Sequence, residues 1–174
     1  MEVKNCTAIV TGGASGMGLA TAKMLSAHGA KVAILDMNLI QAEKIAKEIN
    51  GFAVACNVTD EKNVEAAIAT INEKLGVARI CINCAGVVKG KRMVGQSGPM
   101  PLDEFRQVLE INVVGTFNVM RVAASHMIKL DPIGDSHERG IIINTASVAA
   151  FEGQIGQTAY SASKGAIVSL TLPA

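Results

Sequence analysis

Neither sign of charge is in excess in these 174 residues: Lys and Arg number 16 and Asp and Glu 15, for a net charge of +1. That balance gives no electrostatic footprint for nucleic acid or an anionic membrane, whose phosphates attract an excess of cations. No apolar run approaches the roughly eighteen residues that span a bilayer. The opening Met1-Glu2-Val3-Lys4-Asn5-Cys6 lacks the basic stretch and apolar core of a secretory leader. We therefore expect an intracellular protein, cytoplasmic or mitochondrial. Cysteine is sparse, at positions 6, 56, 81 and 84, and histidine sparser, at 28, 126 and 137. A long, core-rich, unsecreted chain has no need of a disulfide framework. Cys81-Ile82-Asn83-Cys84 has C-x-x-C spacing, yet a zinc site wants a second pair or nearby histidines. A redox pair opens a helix, whereas this one closes a strand. The cysteines are read as buried small side chains.

What is present is a core. Apolar residues make up 49% and charged ones 18%, which excludes disorder. The length suits one domain and is short for two. Five runs read as strands: Thr7 to Val10, Lys31 to Leu35, Gly51 to Cys56, Arg79 to Ile82 and Gly140 to Asn144. Their apolarity is continuous rather than alternating, the pattern of strands buried on both faces of a parallel sheet. Amphipathic helices alternate with them. Leu19 to Ala27 stops at His28-Gly29, Leu39 to Ile49 at Asn50-Gly51, and Glu61 to Leu75, capped by Thr59-Asp60, at Gly76. Leu102 to Met127 is the longest helical pattern, and Val87 to Pro101 and Leu130 to Arg139 are long loops. The fold class is α/β, a Rossmann-type doubly wound parallel sheet.

Directly after the first strand comes Thr11-Gly12-Gly13-Ala14-Ser15-Gly16-Met17-Gly18, and then a helix. A pyrophosphate needs a tight turn, close backbone approach and helix-terminal N–H groups, and this position supplies all three. The glycine spacing differs from the usual dinucleotide pattern, and a plain β–α turn is the bland alternative. Asp36 closes the second strand, where a carboxylate accepts hydrogen bonds from ribose hydroxyls and repels a 2′-phosphate. The glycine loop holds no Lys or Arg, and Met37 follows the acid, which favours NAD over NADP. Asp36 is also placed to cap the next helix.

The most specific signal is Tyr160-Ser161-Ala162-Ser163-Lys164, preceded by Ser147 after the fifth strand. Tyr160 and Lys164 are i and i+4, so they share a helix face. Taking a proton from an alcohol needs a positioned base. Making a free tyrosine phenolate at pH 7 costs about 4 kcal/mol. An ammonium about 4 Å away, at an effective dielectric near 20, returns an energy of about that size. Ser147 is placed to hold the substrate oxygen and the alkoxide that develops on it. Asn112 interrupts the apolar stripe of the long helix and reads as a structural polar core residue.

Together these residues resemble the short-chain dehydrogenase/reductase family. Thr11 to Gly18 is similar to its T-G-x-x-x-G-x-G, and Asn83-Cys84-Ala85-Gly86 to its N-N-A-G with Cys84 in place of the second Asn. The resemblance implies NAD held by Gly12, Ser15, Gly16, Met17, Gly18, Asp36, Met37, Cys84, Ala85 and Gly86, with Asn57 and Val58 against the adenine. It implies a catalytic set of Ser147, Tyr160, Lys164 and Asn112, the last supporting a water relay to the lysine. Tyr160 and Lys164 also touch cofactor, and Ser147, Gln157 and Tyr160 touch substrate. The stretch Asn144 to Gln154 and the insertion Val87 to Pro101 resemble the branch acting on short-chain 3-hydroxyacyl-CoA, with hydroxysteroids as a second substrate class. In the insertion, Lys89, Lys91 and Arg92 read first as a solvated loop and second as contacts to CoA phosphates. Complete members of the family continue past the Tyr/Lys helix, in which Ala174 falls, and form dimers or tetramers. We expect a partial sequence, with the fifth strand left as an apolar edge and little turnover of its own. The competing readings are a 3-oxoacyl-carrier-protein reductase, a methyltransferase using S-adenosylmethionine, and a nucleotide-binding protein without catalysis.

Overall fold

The computed structural model describes residues 1–135 and 137–174. The chain runs β1 (Thr7–Thr11), α1 (Gly16–Ala27), β2 (Lys31–Asp36), α2 (Leu39–Glu48), β3 (Phe52–Ala55), α3 (Glu61–Leu75) and β4 (Ile80–Asn83). A two-residue hairpin of β5 (Val94–Gly95) and β6 (Gly98–Pro99) follows, then α4 (Leu102–Leu109), a π-helical turn (Glu110–Val114) and α5 (Gly115–Met127). It closes with β7 (Ile141–Asn144), a 3-10 turn (Val148–Ala150) and α6 (Thr158–Thr171). No helix among the described residues is long and apolar enough to cross a membrane.

Five strands pair in parallel in the order β3-β2-β1-β4-β7. The chain winds outward from β1 through β2 to β3, then returns to β4 on the other side. The reversal lies between β1 and β4, where the loops leaving their carboxyl ends diverge and open a crevice. Register brings Thr11 opposite Asn83, and Asn83 opposite Asn144, along that edge.

Alternate residues of each strand feed opposite faces. Ile9 and Leu35 pack with Val64, Ile68, Ile71 and Val119 beneath α3 and α5. Ala8, Val10, Val32 and Ile34 pack with Ala22, Ala42 and Ile45 beneath α1 and α2. The central strands β1 and β4 are buried throughout, as continuous apolarity predicts. β7 is the apolar edge strand expected of the fifth run, paired on one side only, and its continuous apolarity does not mark burial on both faces. Ile142 packs into the core, but Ile141 and Ile143 are 45% and 48% exposed, because this edge strand is covered on one face only.

The helix ends follow the expected chemistry with one change. Gly29 (φ 83°) and Gly76 (φ 87°) adopt the left-handed stop, and the Asp60 carboxylate accepts from the Asn63 amide at the start of α3. After α2 the stop falls at Asn50-Gly51 as expected, with Asn50 (φ 50°) in the left-handed position. The N-cap of α2, however, is Asn38, whose side chain accepts from the Gln41 amide at 3.1 Å, and not Asp36.

The long helix is not one regular helix either. Between α4 and α5 the five residues Glu110–Val114 form a π turn, which swells the helix by a residue. Two contacts account for the place of the bulge. Asn112 is 1% exposed and turned inward onto the Val87 peptide, and Gly115 lies so close to Val58 that a Cβ would sit 2.5 Å from its Cγ2.

Candidate active site

The crevice at the strand reversal is a cleft of about 650 Å³. It gathers Gly12, Ser15, Gly16, Met17 and Gly18 from the first turn, Asp36 and Met37 from the end of β2, Asn57 and Val58 after β3, and Cys84, Ala85 and Gly86 after β4. The residues expected along the nucleotide thus come to one wall-lined space. Cys56, Thr59, Val87, Gln107, Glu110 and Ile111 join them, unforeseen. Val87 and Thr59 adjoin expected residues, but nothing local marks Gln107, Glu110 or Ile111, which reach the cleft only because α4 and the π turn are folded against it.

The glycine loop is shaped by its own backbone. Gly12 has φ 64°, and a Cβ there would lie 2.9 Å from the Ala85 backbone. A Cβ on Gly18 would overlap the carbonyl of Gly12 itself. The Thr11 hydroxyl accepts from the amides of Cys84 (3.1 Å) and Ala85 (3.0 Å), clamping the two loops that flank the crevice. The first turn of α1 then presents amide donors with no acidic side chain to neutralise them, a site suited to a phosphate.

Asp36 braces this loop. One carboxylate oxygen accepts from the Ala14 amide at 3.0 Å and the other from the Asn38 amide at 2.9 Å. Each oxygen keeps a second lone pair for a ligand hydroxyl. The Asn57 side-chain oxygen is taken by the Thr59 amide and hydroxyl, so the amide NH2 is the group left to meet a ligand.

The expected catalytic residues approach from the other side. Tyr160 and Lys164 lie on α6, with the ammonium 5.7 Å from the centre of the phenol ring. Lys164 is buried and donates to the Thr145 carbonyl at 2.5 Å. Burial pulls its pKa below the ordinary lysine value, and the neighbouring Cys84 partly offsets the effect. A Cβ on Gly86 would be 3.1 Å from Asn112 Oδ1 and 4.0 Å from Lys164 Nζ, so both lie close to this residue of the cleft wall. None of Asn112, Lys164, Ser147, Tyr160 and Gln157 lines the cleft itself. Ser147 Oγ accepts from the Ala149 amide at 3.2 Å, which leaves its proton free to donate. Gln157 turns its side-chain oxygen back onto the Gln154 amide at 3.0 Å and heads α6. The water relay expected of Asn112 finds a side chain already in use. Its oxygen accepts from the Val87 amide (2.8 Å), and its NH2 donates to the Val87 carbonyl and to Ser163 Oγ (both 2.9 Å).

The insertion explains its own lysines. Lys89 donates to Gln107 at 2.5 Å, Lys91 pairs with Glu104 at 2.6 Å, and the Lys91 amide donates to the Gly156 carbonyl at 2.8 Å. These contacts tie the insertion to α4 and to the loop that precedes α6.

Cys81 and Cys84 pack on opposite faces of the sheet, because three positions along a strand is an odd step. They form no pair, and among the described residues no three His, Cys, Asp or Glu side chains gather as a metal site. Cys56 and Cys81 are the buried thiols, while Cys6 and Cys84 are not fully buried, which modifies the expectation of four buried cysteines. Burial first, then the Asp60 carboxylate, pushes the Cys56 thiol up to about 11. Burial pushes Cys81 up to about 12, against a lowering hydrogen bond with Asn83. Because the folded values exceed the ordinary 9.0, the folded state loses stability relative to the unfolded as pH rises from there through 11 to 12. A disulfide reagent at pH 8 is expected to titrate Cys6 and Cys84 in the native protein, and Cys56 and Cys81 only after unfolding. Equal rates for all four, followed by absorbance, would contradict the burial.

Comparison with known proteins bears on this arrangement directly. Similar chains include 3-hydroxyacyl-CoA dehydrogenase type-2 of Rattus norvegicus, 47% identical over 99% of this chain and 67% of that protein. The Homo sapiens protein of the same name is 45% identical over the same shares. The crystal structure of 3-hydroxyacyl-CoA dehydrogenase type-2 from Mycobacterium avium superposes with a TM-score of 0.90 at 38% identity, covering 97% of this chain and 67% of that one. The sequence profile of the short chain dehydrogenases matches residues 6–173, a span that takes in the glycine loop, Asp36 and the Tyr160–Lys164 turn alike. By that match and those relatives, the chain belongs to the short chain dehydrogenase family, and it is an oxidoreductase of that family.

Proposed function

We propose that residues 1–174 form a single NAD-binding unit, the cofactor-binding and catalytic part of an enzyme that interconverts a secondary alcohol and a ketone, with 3-hydroxyacyl-CoA and 3-oxoacyl-CoA as the substrate pair. The observation that carries the reading is the cleft itself, walled by glycine backbone and Asp36, with Asn112 and Lys164 packed close to Gly86 of its wall. Its lining includes Asp36 and Glu110 but no Lys or Arg, so it suits a free ribose diol and offers nothing to a 2′-phosphate. That supports NAD, and it counts against a carrier-protein reductase of the NADP-using kind. The rat and human relatives support the acyl-CoA substrate by their names.

A nicotinamide cofactor held in the cleft would supply or accept the hydride. The rest falls to the chain. Tyr160 gives its hydroxyl proton to the carbonyl oxygen during reduction and takes it back during oxidation. Ser147, its proton free, donates to that same oxygen and steadies the charge on it. Lys164 holds a positive charge beside the phenol, from where it would also hold the ribose of a bound cofactor. Gln157 borders the substrate at the head of α6. Self-association into dimers or tetramers is supported by the exposed apolar side chains Val114, Phe117, Val168 and Leu172 on and around α5 and α6.

Steady-state reduction of acetoacetyl-CoA tests the reading. We expect NADH to be preferred over NADPH by at least about tenfold, and a CoA thioester to be preferred over a simple ketone or a steroid. Absence of NADH binding on fluorescence titration, or preference for NADPH, would refute the cofactor assignment. Binding without turnover of any ketone by the whole protein would refute the catalytic one.

A further inference from the structure

Ser163 stands between the two expected catalytic residues of α6 and has no accessible surface at all. A hydroxyl placed there must be fully satisfied. Its proton goes to the Tyr160 carbonyl at 2.7 Å, and its lone pair receives the NH2 of Asn112 at 2.9 Å. The polarity of this chain of bonds is fixed. An amide NH2 can only donate and a carbonyl can only accept, so Ser163 accepts on one side and donates on the other. The remaining polar groups of Asn112 are spent on both sides of the Val87 peptide, which lines the cleft.

A continuous bonded path therefore runs from the cleft wall, through the π turn, to the backbone of the tyrosine. We propose that Ser163 is a positioning residue for Tyr160. It locks the helical turn that carries the phenol and the Lys164 ammonium onto Asn112, and through Asn112 onto the floor of the nucleotide cleft. The regular i to i+4 spacing sets only which face of α6 the two residues share. This lock sets how far α6 sits from the cofactor and how it is rotated. The inference rests on the reading of Tyr160 as the proton carrier, but it can be tested apart from it.

The chain has one tyrosine and no tryptophan, so near-ultraviolet tyrosine circular dichroism and tyrosine emission report on Tyr160 alone. In Ser163→Ala the Asn112 NH2 loses an acceptor and the Tyr160 carbonyl loses a donor, while the side-chain volume hardly changes. We expect the far-ultraviolet spectrum and NADH affinity to stay within about twofold of wild type. The Tyr160 dichroism and its quenching by NADH should weaken. Turnover of acetoacetyl-CoA should fall roughly tenfold to hundredfold with KM for NADH unchanged, as a misplaced catalytic group predicts. Ser163→Cys, near-isosteric and a weaker partner, should fall between the two. If Ser163→Ala does not fold, Ser163→Cys against wild type decides the matter. An unchanged tyrosine signal in the folded variants would overturn the proposal, and so would a loss of NADH affinity equal to the loss of turnover. The tyrosine signals need no turnover. Tyr160→Phe separates the two readings: if it stays active, the proton-carrier assignment fails, whatever Ser163 does to the tyrosine spectra.

Discussion

Tyr160→Phe is expected to lower turnover by about three orders of magnitude, the usual scale for removing a positioned general acid. The reason such a small change should cost so much is visible around the residue. Tyr160 is half-buried, its ring lies against the Lys164 ammonium, and its hydroxyl has no hydrogen-bond partner among the described residues. The oxygen is therefore not holding the fold together. Phe keeps the ring and its packing, so unfolding midpoints should move little and NADH should bind within about twofold of wild type. The loss should fall on kcat rather than on KM for the cofactor. Single-turnover reduction of acetoacetyl-CoA, followed as the disappearance of NADH, reads the step directly. A variant that keeps more than about a tenth of the wild-type rate would mean that the proton comes from elsewhere.

Gly18→Ala should have a comparable effect on a different quantity, the affinity for NADH. Gly18 stands in helical conformation, so a methyl group there brings no φ strain; what it meets is the Gly12 carbonyl and the Gly13 backbone. Backbone cannot rotate aside, so the loop must shift, and with it the amides that face the cleft. We expect NADH affinity to fall at least about a hundredfold, a scale consistent with displacing a set of pyrophosphate donors. Gly16→Ala is the internal control. Gly16 has φ 51° but nothing within 4 Å of the added carbon, so only conformational strain of about 1–2 kcal/mol opposes it. NADH titration should therefore rank Gly18→Ala as far more damaging than Gly16→Ala. The reverse order would show that φ, and not the backbone contact, governs this turn.

Much of this architecture can be read before any coordinates, and the reasons are local. Ala8 to Val10 and Ile80 to Ile82 are apolar without interruption because both faces of those strands are buried. Thr11 to Gly18 advertises a turn because Gly12 and Gly18 are required by contacts within the turn and with the loop beside it, and Gly16 by its positive φ. Tyr160 and Lys164 are legible as a pair because helical periodicity puts them on one face. What was not legible depends on distant partners. Ile141 and Ile143 have the composition of a buried strand, and only the arrangement of helices shows one face bare. The choice of Asn38 over Asp36 as helix cap turns on Asp36 being held by Ala14, a residue from another element. Asn112 read as a structural core amide from its apolar surroundings, and its side chain does make structural bonds. Its partners lie 25 and 51 residues away, so no spacing rule points to them.

The swollen turn at Glu110–Val114 takes up a single surplus residue between α4 and α5, so each flanking segment keeps the face it presents. Deleting one residue there would let an ordinary α-helix run through, with Leu102–Leu109 still turned inward at Val108 and Glu104 still beside Lys91. The loss would fall on the bulge itself, where Asn112 meets the backbone of Val87. The same deletion made inside Leu102–Leu109 has no widened turn to absorb it and would swing the residues before it by about 100°, one residue's share of a turn. It should therefore be far less tolerable there than in the π turn.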